Sequence, residues 1–173
     1  NTAGGAQYWI GSDGKHRWYF HDGTSRSIDG PACRDEQWEH CAVTRTSGTT
    51  RIFVNGKQYG SSTENSSSNP IGSNSQNTLI IGCERNSSGT KAGYFPGKIS
   101  NFRIIKGTSL YSSSFRPPTE PLTNVSGTVL LCCRSTSATG ADVTPGTITA
   151  GSLPTGNHPS PFNDPAAHVF GES

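Results

Sequence analysis

The sequence predicts an all-β fold, an antiparallel sandwich or jelly roll, on three observations. Strand-like runs recur at intervals of about 8 to 12 residues along the 173-residue chain. No stretch of about twelve residues repeats its apolar positions with the 3.6-residue period of a helix. Hydrophobic residues make up 30% and charged residues 15%, and Gly, Pro, Ser, Thr and Asn fill the difference. This composition is typical of short strands joined by many turns.

The first predicted element is an aromatic hairpin near the start of the chain. The runs AQYWIG (6–11) and KHRWYFH (15–21) flank the turn SDG at residues 12–14. Aromatic residues favour strands, and a short turn containing Gly between two such runs favours a hairpin. We therefore expect two paired strands here.

A meander of three strands is predicted next. The runs EHCAVTR (39–45) and TRIFVNG (50–56) are separated by TSGT, which indicates a second hairpin. The pair Asn55-Gly56 then supplies the positive φ angles of a type I′ turn into KQYG (57–60). Residues 39–60 are therefore expected to form strands that pair with their neighbours in sequence.

The rest of the chain is predicted to combine short strands with long polar loops. Residues 61–77 and 84–97 consist largely of turn-forming residues and predict loops. The prolines of residues 117–121 exclude a central strand there. Beyond residue 135 we expect loop, with GTITAG (146–151) as a candidate edge strand. Three further apolar runs predict strands: TLIIG at 78–82, KISNFRIIKG at 98–107 and GTVLLCC at 127–133.

Charge and hydropathy exclude several classes of partner. The net charge is only +2 and the basic residues are scattered, so no nucleic-acid partner is predicted. No apolar segment approaches the roughly 20 residues that cross a bilayer, so no membrane insertion is predicted. The sequence contains no Met, which indicates a processed chain or, as we favour, a piece of a longer one.

Cysteine and histidine spacing does not indicate a metal site. The five cysteines form no C-x-x-C pair, so neither a zinc ribbon nor a complete disulfide framework is indicated. We expect free thiols, with a bridge from Cys33 to Cys83 or Cys132 as the alternative. The five histidines are far apart in sequence and are expected to be ordinary surface or core residues.

The order of these pieces resembles a known family. A strand with Trp38, His40, Ala42 and Val43 is followed by RIFVNG, a loop, LIIG and GKISNFRI. This order is similar to the concanavalin A-like, laminin G type of jelly-roll domain. The run GKISNFRIIKGTSLYSSSFRPPTEPLT with GTVLLCC resembles versions of that domain in structural proteins of tailed phages, especially marine and cyanobacterial ones. The resemblance extends from about residue 8 to residue 135.

The resemblance implies a domain organisation and a function. It implies a laminin G-like β-sandwich over residues 1–135 that lacks its first strands, and an irregular segment over 136–173 that leads to a further region. The implied function is a non-catalytic carbohydrate-binding or adhesion module on a virion surface, in a fibre or decoration protein. The implied partners are a host-surface glycan, other virion proteins and further copies of the chain, with a trimer favoured.

Two alternative functions follow from the same resemblance. A purely structural virion module would mediate contacts between subunits or proteins. A polysaccharide hydrolase would need paired carboxylates on one strand face, commonly as Glu-x-Asp-x-x-Glu. The nearest approach is Asp35, Glu36 and Glu39, whose spacing does not fit, because Asp35 and Glu36 would point to opposite faces of a strand. We therefore predict that the protein is not an enzyme.

Candidate sugar-binding residues are aromatic rings with polar neighbours in rim loops. An exposed ring can stack on a pyranose face while carboxylate or amide groups hold the hydroxyls. Core packing is the alternative for Trp18 and Phe20, and we favour it; Trp9 and Trp38 are assigned to the core. The candidates are Trp18, His21 and Asp22 at the end of the aromatic hairpin, and Glu84, Asn86 and Tyr94 in the loop after LIIG.

No cofactor is predicted to be required, although calcium is a candidate. Laminin G relatives often hold calcium at one rim, and the resemblance implies such a site here. Calcium takes oxygen ligands from carboxylate and amide side chains. The residues that offer them are Asp22, Asp29, Glu84 and Asn86.

Overall fold

The fold is all-β, as the sequence predicts. The structure, a computed structural model, describes residues 5–21, 24–63, 78–85, 89–151 and 160–162. Within these ranges no helix is found, and therefore none that could cross a membrane. The described part of the chain forms eleven strands: β1 (Ala6–Ile10), β2 (Lys15–His21), β3 (Ser25–Ala32), β4 (Cys41–Thr46), β5 (Thr49–Val54), β6 (Lys57–Thr63), β7 (Glu84–Arg85), β8 (Lys91–Ala92), β9 (Phe102–Ile105), β10 (Thr128–Cys132) and β11 (Ala141–Val143).

The strands belong to two compact units. The first unit comprises residues 1–94 and 109–117, and the second comprises 95–108 and 118–173. The predicted domain boundary at residue 135 stays a prediction.

The first sheet of the first unit has the order β1-β2-β3 and confirms the aromatic hairpin. The turn is closed by hydrogen bonds from the amide of Gly11 to the carbonyl of Lys15 and from the amide of Gly14 to the carbonyl of Gly11. Strand β3 was not predicted, because SRSIDGPA carries one large apolar side chain and both Gly and Pro. Its place at the sheet edge explains why such a sequence is tolerated there.

The second sheet of this unit is the predicted meander, in the order β4-β5-β6. Ser47 and Gly48 turn the first hairpin with φ angles of 48° and 74°. Asn55 and Gly56 turn the second with φ angles of 50° and 76°, which confirms the predicted type I′ turn. Both turns therefore use the left-handed conformation that their sequences favour.

The core of the first unit lies where β3 approaches β5 and β6. Phe20, Ile28 and Ile52 form its buried cluster, with Trp18 packed against it, so Trp18 and Phe20 take the core role that we favoured. The approach is close at Gly60, where a Cβ would lie 2.7 Å from Ile28 Cγ2. A side chain at this position would therefore push the two strands apart.

Trp38 does not fill the core. Its side chain is 36% exposed, and Trp9 is only half-buried. Strand β4 begins at Cys41, so Trp38 lies in the connection before it and outside the alternation from which its burial was predicted. The prediction of a core role for Trp38 was therefore wrong.

The segment 109–117 packs its aromatic rings beside the second sheet. Tyr111 and Phe115 stack with ring centroids 3.5 Å apart, and Phe115 lies 5.5 Å from the buried ring of Phe53. The amide of Phe115 donates to the carbonyl of Gly56 at 2.8 Å. The segment forms no strand, as its sequence predicts, and it fixes the Asn55-Gly56 turn by packing against it.

Residues 78–97 differ from the prediction in two places. TLIIG (78–82) forms no strand and Leu79 is 55% exposed, so the prediction of a buried strand was wrong. The following loop contains the short antiparallel pair β7–β8 instead. Three apolar residues in a row do not by themselves define a strand, because burial requires a partner surface. Most of the predicted loop 61–77 lies outside the described residues.

The second unit contains a sheet of order β11-β10-β9. The run 98–107 forms a strand only at Phe102–Ile105, since Asn101 takes a positive φ of 54° and donates its amide to the carbonyl of Cys133. Among the described residues the last strand is β11 at Ala141–Val143, whereas residues 146–151 form none. The predicted edge strand was therefore placed a few residues too late.

Candidate functional site

The first unit carries a groove of about 440 Å³ beside the Asn55-Gly56 turn. The end of β3, the connection before β4, the end of β5 and the start of β6 meet there because both sheets bring their strand ends to this point. The groove is therefore lined by strand ends and by polar side chains of the connection before β4, the Asn55-Gly56 turn and β6. Its lining residues are Pro31, Ala32, Arg34, Glu39, Val54, Asn55, Lys57 and Tyr59.

Tyr59 gives the groove an accessible aromatic face. Along β6 the residues alternate between exposed and half-buried, which directs Lys57 and Tyr59 outward. Tyr59 is 42% exposed as a residue, and the Lys57 Nζ atom lies 5.1 Å from the centroid of its ring. A ring that carries a cation at one side and is open elsewhere is suited to stacking.

Glu39 is the buried anion of the groove, with its side chain only 6% exposed. One oxygen, Oε1, accepts hydrogen bonds from Arg34 Nε at 3.0 Å and from Asn55 Nδ2 at 3.3 Å. The other, Oε2, accepts from the Arg34 amide at 3.1 Å and from His16 Nε2 at 3.0 Å. The carboxylate therefore joins β2, the connection before β4 and the Asn55-Gly56 turn.

The hydrogen bonds to Glu39 decide its charge. Burial by itself raises the pKa of a carboxyl group, but the donors from Arg34 and His16 outweigh burial and lower the pKa of Glu39 below its ordinary value of 4.5. Glu39 is therefore ionised at neutral pH.

We expect the free energy of unfolding to fall as the pH is lowered below about 4.5. A carboxyl group with a lower pKa in the folded state contributes stability that is fully present above its unfolded pKa and is lost as the pH falls through its folded pKa. Urea denaturation at several pH values between about 7 and 3 measures this decline. The decrease in unfolding free energy per pH unit should be smaller in Glu39→Gln than in the wild type, and in Glu36→Gln it should equal that of the wild type. Equal decreases in all three proteins would show that Glu39 is not responsible for the pH dependence.

A buried polar cluster lies behind Glu39. The His16 side chain is buried, and its Nδ1 atom lies 2.8 Å from the hydroxyl of Tyr8 and 3.8 Å from the Cys41 sulphur. Burial raises the pKa of the Tyr8 phenol and of the Cys33 thiol. The ligand atoms of His16, Cys33 and Glu39 lie within 4.8 Å of one another, so these three residues could hold a metal ion. All five cysteines of the chain are free.

The sugar-binding residues expected from the sequence occupy two separate sheets. Trp18 and His21 lie on β2, and Trp18 packs against the core with its indole N–H buried and without a hydrogen-bond partner. Glu84 lies on β7, and Tyr94, which is exposed, follows β8. Asp22 and Asn86 lie outside the described residues. The set stays a prediction; Trp18 and His21 are half-buried, whereas Glu84 and Tyr94 are exposed.

The calcium ligands expected from the sequence are likewise placed on different sheets. Asp29 lies on β3 and accepts a hydrogen bond from Arg17 Nε at 3.2 Å, whereas Glu84 lies on β7. Asp22 and Asn86 are again outside the described residues. Calcium binding stays a prediction.

Sequence reasoning missed the groove and its buried cluster. His16, Trp18 and Phe20 have the same parity along β2, so an assignment of the two aromatic residues to the core also placed His16 on the buried face. A buried His side chain needs a hydrogen-bond partner, and this requirement was the signal that could have indicated the buried cluster. Glu39 gave no such signal, because its contacts come from residues 16 and 23 positions away as well as from Arg34.

Asp35 and Glu36 do not join Glu39 as a carboxylate pair. Both are exposed in the turn before β4, and Glu36 has a positive φ of 56°. Glu39 is engaged by four hydrogen bonds. The arrangement therefore lacks the acid and nucleophile that a retaining or inverting glycosidase places on either side of the scissile bond.

Comparisons with known proteins identify a family and one distant structure. The sequence model of the concanavalin A-like lectin/glucanases superfamily matches residues 1–109, more than half of the chain. A comparison with curated proteins found no match. The 2.1 Å crystal structure of an S-layer domain-containing protein (residues 221–444) from Clostridium thermocellum is similar at 18% identity, with a TM-score of 0.33. The similarity covers 66% of this chain and 61% of that one.

Proposed function

The chain belongs to the concanavalin A-like lectin/glucanases superfamily, and from this premise we propose that it is a non-catalytic carbohydrate-binding or adhesion module. The groove beside Tyr59 is its sugar site in this proposal. Fold alone does not assign a function, because the same sandwich serves binding and other roles. The proposal therefore depends on the side chains of the groove.

The observation that carries the proposal is the exposed ring of Tyr59 at the edge of a groove with fixed polar groups. Tyr59 is 42% exposed and can stack on the apolar face of a sugar ring. Arg34 and Lys57 supply donors for hydroxyl groups, and both side chains are exposed. Asn55 is held by its hydrogen bond to Glu39, so the polar surface of the groove is largely formed before a ligand arrives.

The hydrogen bonds of Glu39 support a role in binding over one in catalysis. A general acid for glycoside cleavage needs a raised pKa so that it carries a proton at working pH. The pKa of Glu39 is lowered instead, although burial opposes this, because Arg34 and His16 stabilise the carboxylate. Incubation of the protein with polysaccharide should release no reducing ends, and turnover would overturn this part of the proposal.

The resemblance of residues 97–123 to phage structural proteins supports a more specific proposal for the location of the module. We propose that the module lies on a virion surface, in a fibre or decoration protein, and attaches reversibly to a host-surface glycan. Other virion proteins and further copies of the chain, as a trimer, are its proposed structural partners. Host envelope polysaccharide is therefore the first ligand to test.

Tyr59→Ala is expected to weaken glycan binding about tenfold or more, which corresponds to about 1.4 kcal/mol. The reason is the loss of the stacking surface, since the polar groups of the groove remain. A glycan array identifies the ligand, and titration calorimetry with that ligand measures the dissociation constants of the wild type and the variant.

The matched control for this prediction is Tyr94→Ala. Tyr94 is exposed to a similar degree but lies after β8, beside the other candidate residues. Unchanged affinity in Tyr94→Ala with a loss in Tyr59→Ala assigns the site to the groove. The reverse result would place it at the residues predicted from sequence, and no hit on any host polysaccharide would count against sugar binding altogether.

Exposed apolar side chains favour a second candidate function, a structural module that contacts other subunits. In the first unit Leu79 and Leu110 are exposed, at 55% and 44%. Large apolar side chains in contact with water are common at protein interfaces. Sedimentation velocity tests this candidate, since a monomer at micromolar concentration that still binds glycan would oppose it.

A further inference from the structure

Three residues of three ligand types converge behind the groove. His16 lies on β2, Cys33 follows the last residue of β3, and Glu39 lies in the connection before β4. Their ligand atoms all lie within 4.8 Å of one another. His16 is only 2% exposed and the Glu39 side chain 6%, so two of the three groups are withdrawn from water.

We propose that His16, Cys33 and Glu39 form a binding site for a thiophilic divalent cation, of which zinc is the first choice. An imidazole nitrogen, a thiolate sulphur and a carboxylate oxygen are the ligand types that zinc takes in proteins. Calcium and magnesium prefer oxygen ligands, and this set offers only one such residue. The donor set therefore favours zinc or a close relative over calcium, and it shares no residue with the calcium site predicted from the sequence.

The spacing of the ligand atoms suits a small cation. Zinc bonds of about 2.0 to 2.3 Å in a tetrahedral arrangement place ligand atoms roughly 3.3 to 3.8 Å apart. His16 Nε2 and Glu39 Oε2 are 3.0 Å apart, and the whole set lies within 4.8 Å. Side-chain shifts of about 1 Å would therefore bring all three atoms to bonding distance. Three protein ligands leave the fourth position for water.

The surrounding hydrogen bonds hold the ligands in the required orientation. The Tyr8 hydroxyl lies 2.8 Å from His16 Nδ1 and fixes the plane of the ring. A hydroxyl can either donate to Nδ1 or accept from it. When a cation binds to Nε2, the ring carries its proton on Nδ1, and this N–H donates a hydrogen bond to the Tyr8 hydroxyl oxygen. Arg34 and Asn55 hold the Glu39 oxygen that faces away from His16. Hydrogen bonds from other residues to the metal ligands are a general feature of zinc sites.

The charges also agree with a bound cation. Cys33 must lose its proton to bind metal, and that proton passes to solvent. The bound site would then contain two anionic ligands and one neutral ring around a doubly charged ion, which leaves no net charge to bury.

The test is titration of the metal-free full chain with Co²⁺, a spectroscopic substitute for zinc. We expect one equivalent to bind with the absorption band of thiolate-to-cobalt charge transfer. Cys33→Ser should abolish this band, and zinc added to the wild type should displace cobalt. Tyr8→Phe keeps the ring but removes the hydroxyl that orients His16, and it should weaken binding roughly 10- to 100-fold.

The matched control addresses the other thiols that could bind a soft metal. The Cys132 and Cys133 sulphurs are 3.7 Å apart, which makes this pair the competing site. The double variant Cys132→Ser/Cys133→Ser should bind Co²⁺ like the wild type. A band that persists in Cys33→Ser, or one that disappears in the double variant, would overturn the assignment, as would the absence of any thiolate band.

Two further measurements keep the test independent of folding and of sugar binding. Circular dichroism with thermal unfolding shows whether Cys33→Ser folds, and zinc should raise the unfolding midpoint of the wild type but not that of this variant. Tyr59→Ala should leave Co²⁺ binding unchanged. The metal site can therefore fail while glycan binding stands, and glycan binding can fail while the metal site stands.

Discussion

Gly56→Ala is expected to destabilise the first unit by roughly 2 to 5 kcal/mol, when the cost of placing a residue with a Cβ atom in the left-handed conformation is added to that of overpacking. Gly56 has a φ of 76°, which disfavours any residue with a Cβ atom. It is also buried against the segment 109–117, where the new Cβ would lie 2.0 Å from the Phe115 carbonyl oxygen. The turn or the segment must therefore move. Chemical denaturation measures the loss.

Gly14→Ala separates the two contributions to this loss. Gly14 has nearly the same φ, 75°, but a Cβ there would meet nothing within 4 Å. We expect it to cost only the conformational part, about 1 to 2 kcal/mol. Equal losses at Gly14 and Gly56 would show that the contact with Phe115 contributes nothing, contrary to the packing described above.

Glu39→Gln is expected to lower the free energy of unfolding by about 2 to 4 kcal/mol. The amide keeps the shape of the carboxylate but removes its charge and turns one acceptor into a donor. Four hydrogen bonds from Arg34, Asn55 and His16 converge on the two oxygens, so at least one buried donor is left without an acceptor. Urea denaturation at neutral pH measures the difference.

Glu36→Gln is the matched control, because it makes the same chemical change three residues earlier in the same connection. Glu36 is exposed, and substitutions at such positions usually change stability by less than about 0.5 kcal/mol. A loss in Glu39→Gln no larger than that in Glu36→Gln would mean that the hydrogen bonds to Glu39 do not stabilise the fold.

The hairpins were predictable because their signals are local. Asn55-Gly56 and Ser47-Gly48 encode left-handed turns within two residues, and the runs on either side alternate with the period of a strand. Strand β3 was not predictable in this way, since it is held at a sheet edge by pairing with β2. TLIIG was assigned to the interior on apolar character alone, and Trp38 on the alternation of the run that follows it, although apolar residues also contribute much of a protein surface.

The candidate site was less predictable than the fold because it is assembled from distant positions. Glu39 contacts His16 across 23 residues and Asn55 across 16. From residue type and spacing, His16 and Cys33 were therefore not predicted to be metal ligands, since neither belongs to a short motif. They come together only in the folded chain, where His16 of β2 meets Glu39 of the connection before β4 and Cys33 just after β3. Tyr59 was overlooked for a different reason, because an aromatic residue in a strand is usually assigned to the core.

The exposure of Trp38 has a practical consequence for measuring binding. Its indole lies next to Glu39 in sequence and is open to water, whereas Trp18 packs against the core. The emission maximum of an exposed indole shifts when its surroundings change, so Trp38 gives the protein its own optical reporter one residue before Glu39. Comparison of wild type with Trp38→Phe would isolate that signal from the other two tryptophans. Occupancy by a sugar or a cation can thus be followed at low protein concentration without a chemical label.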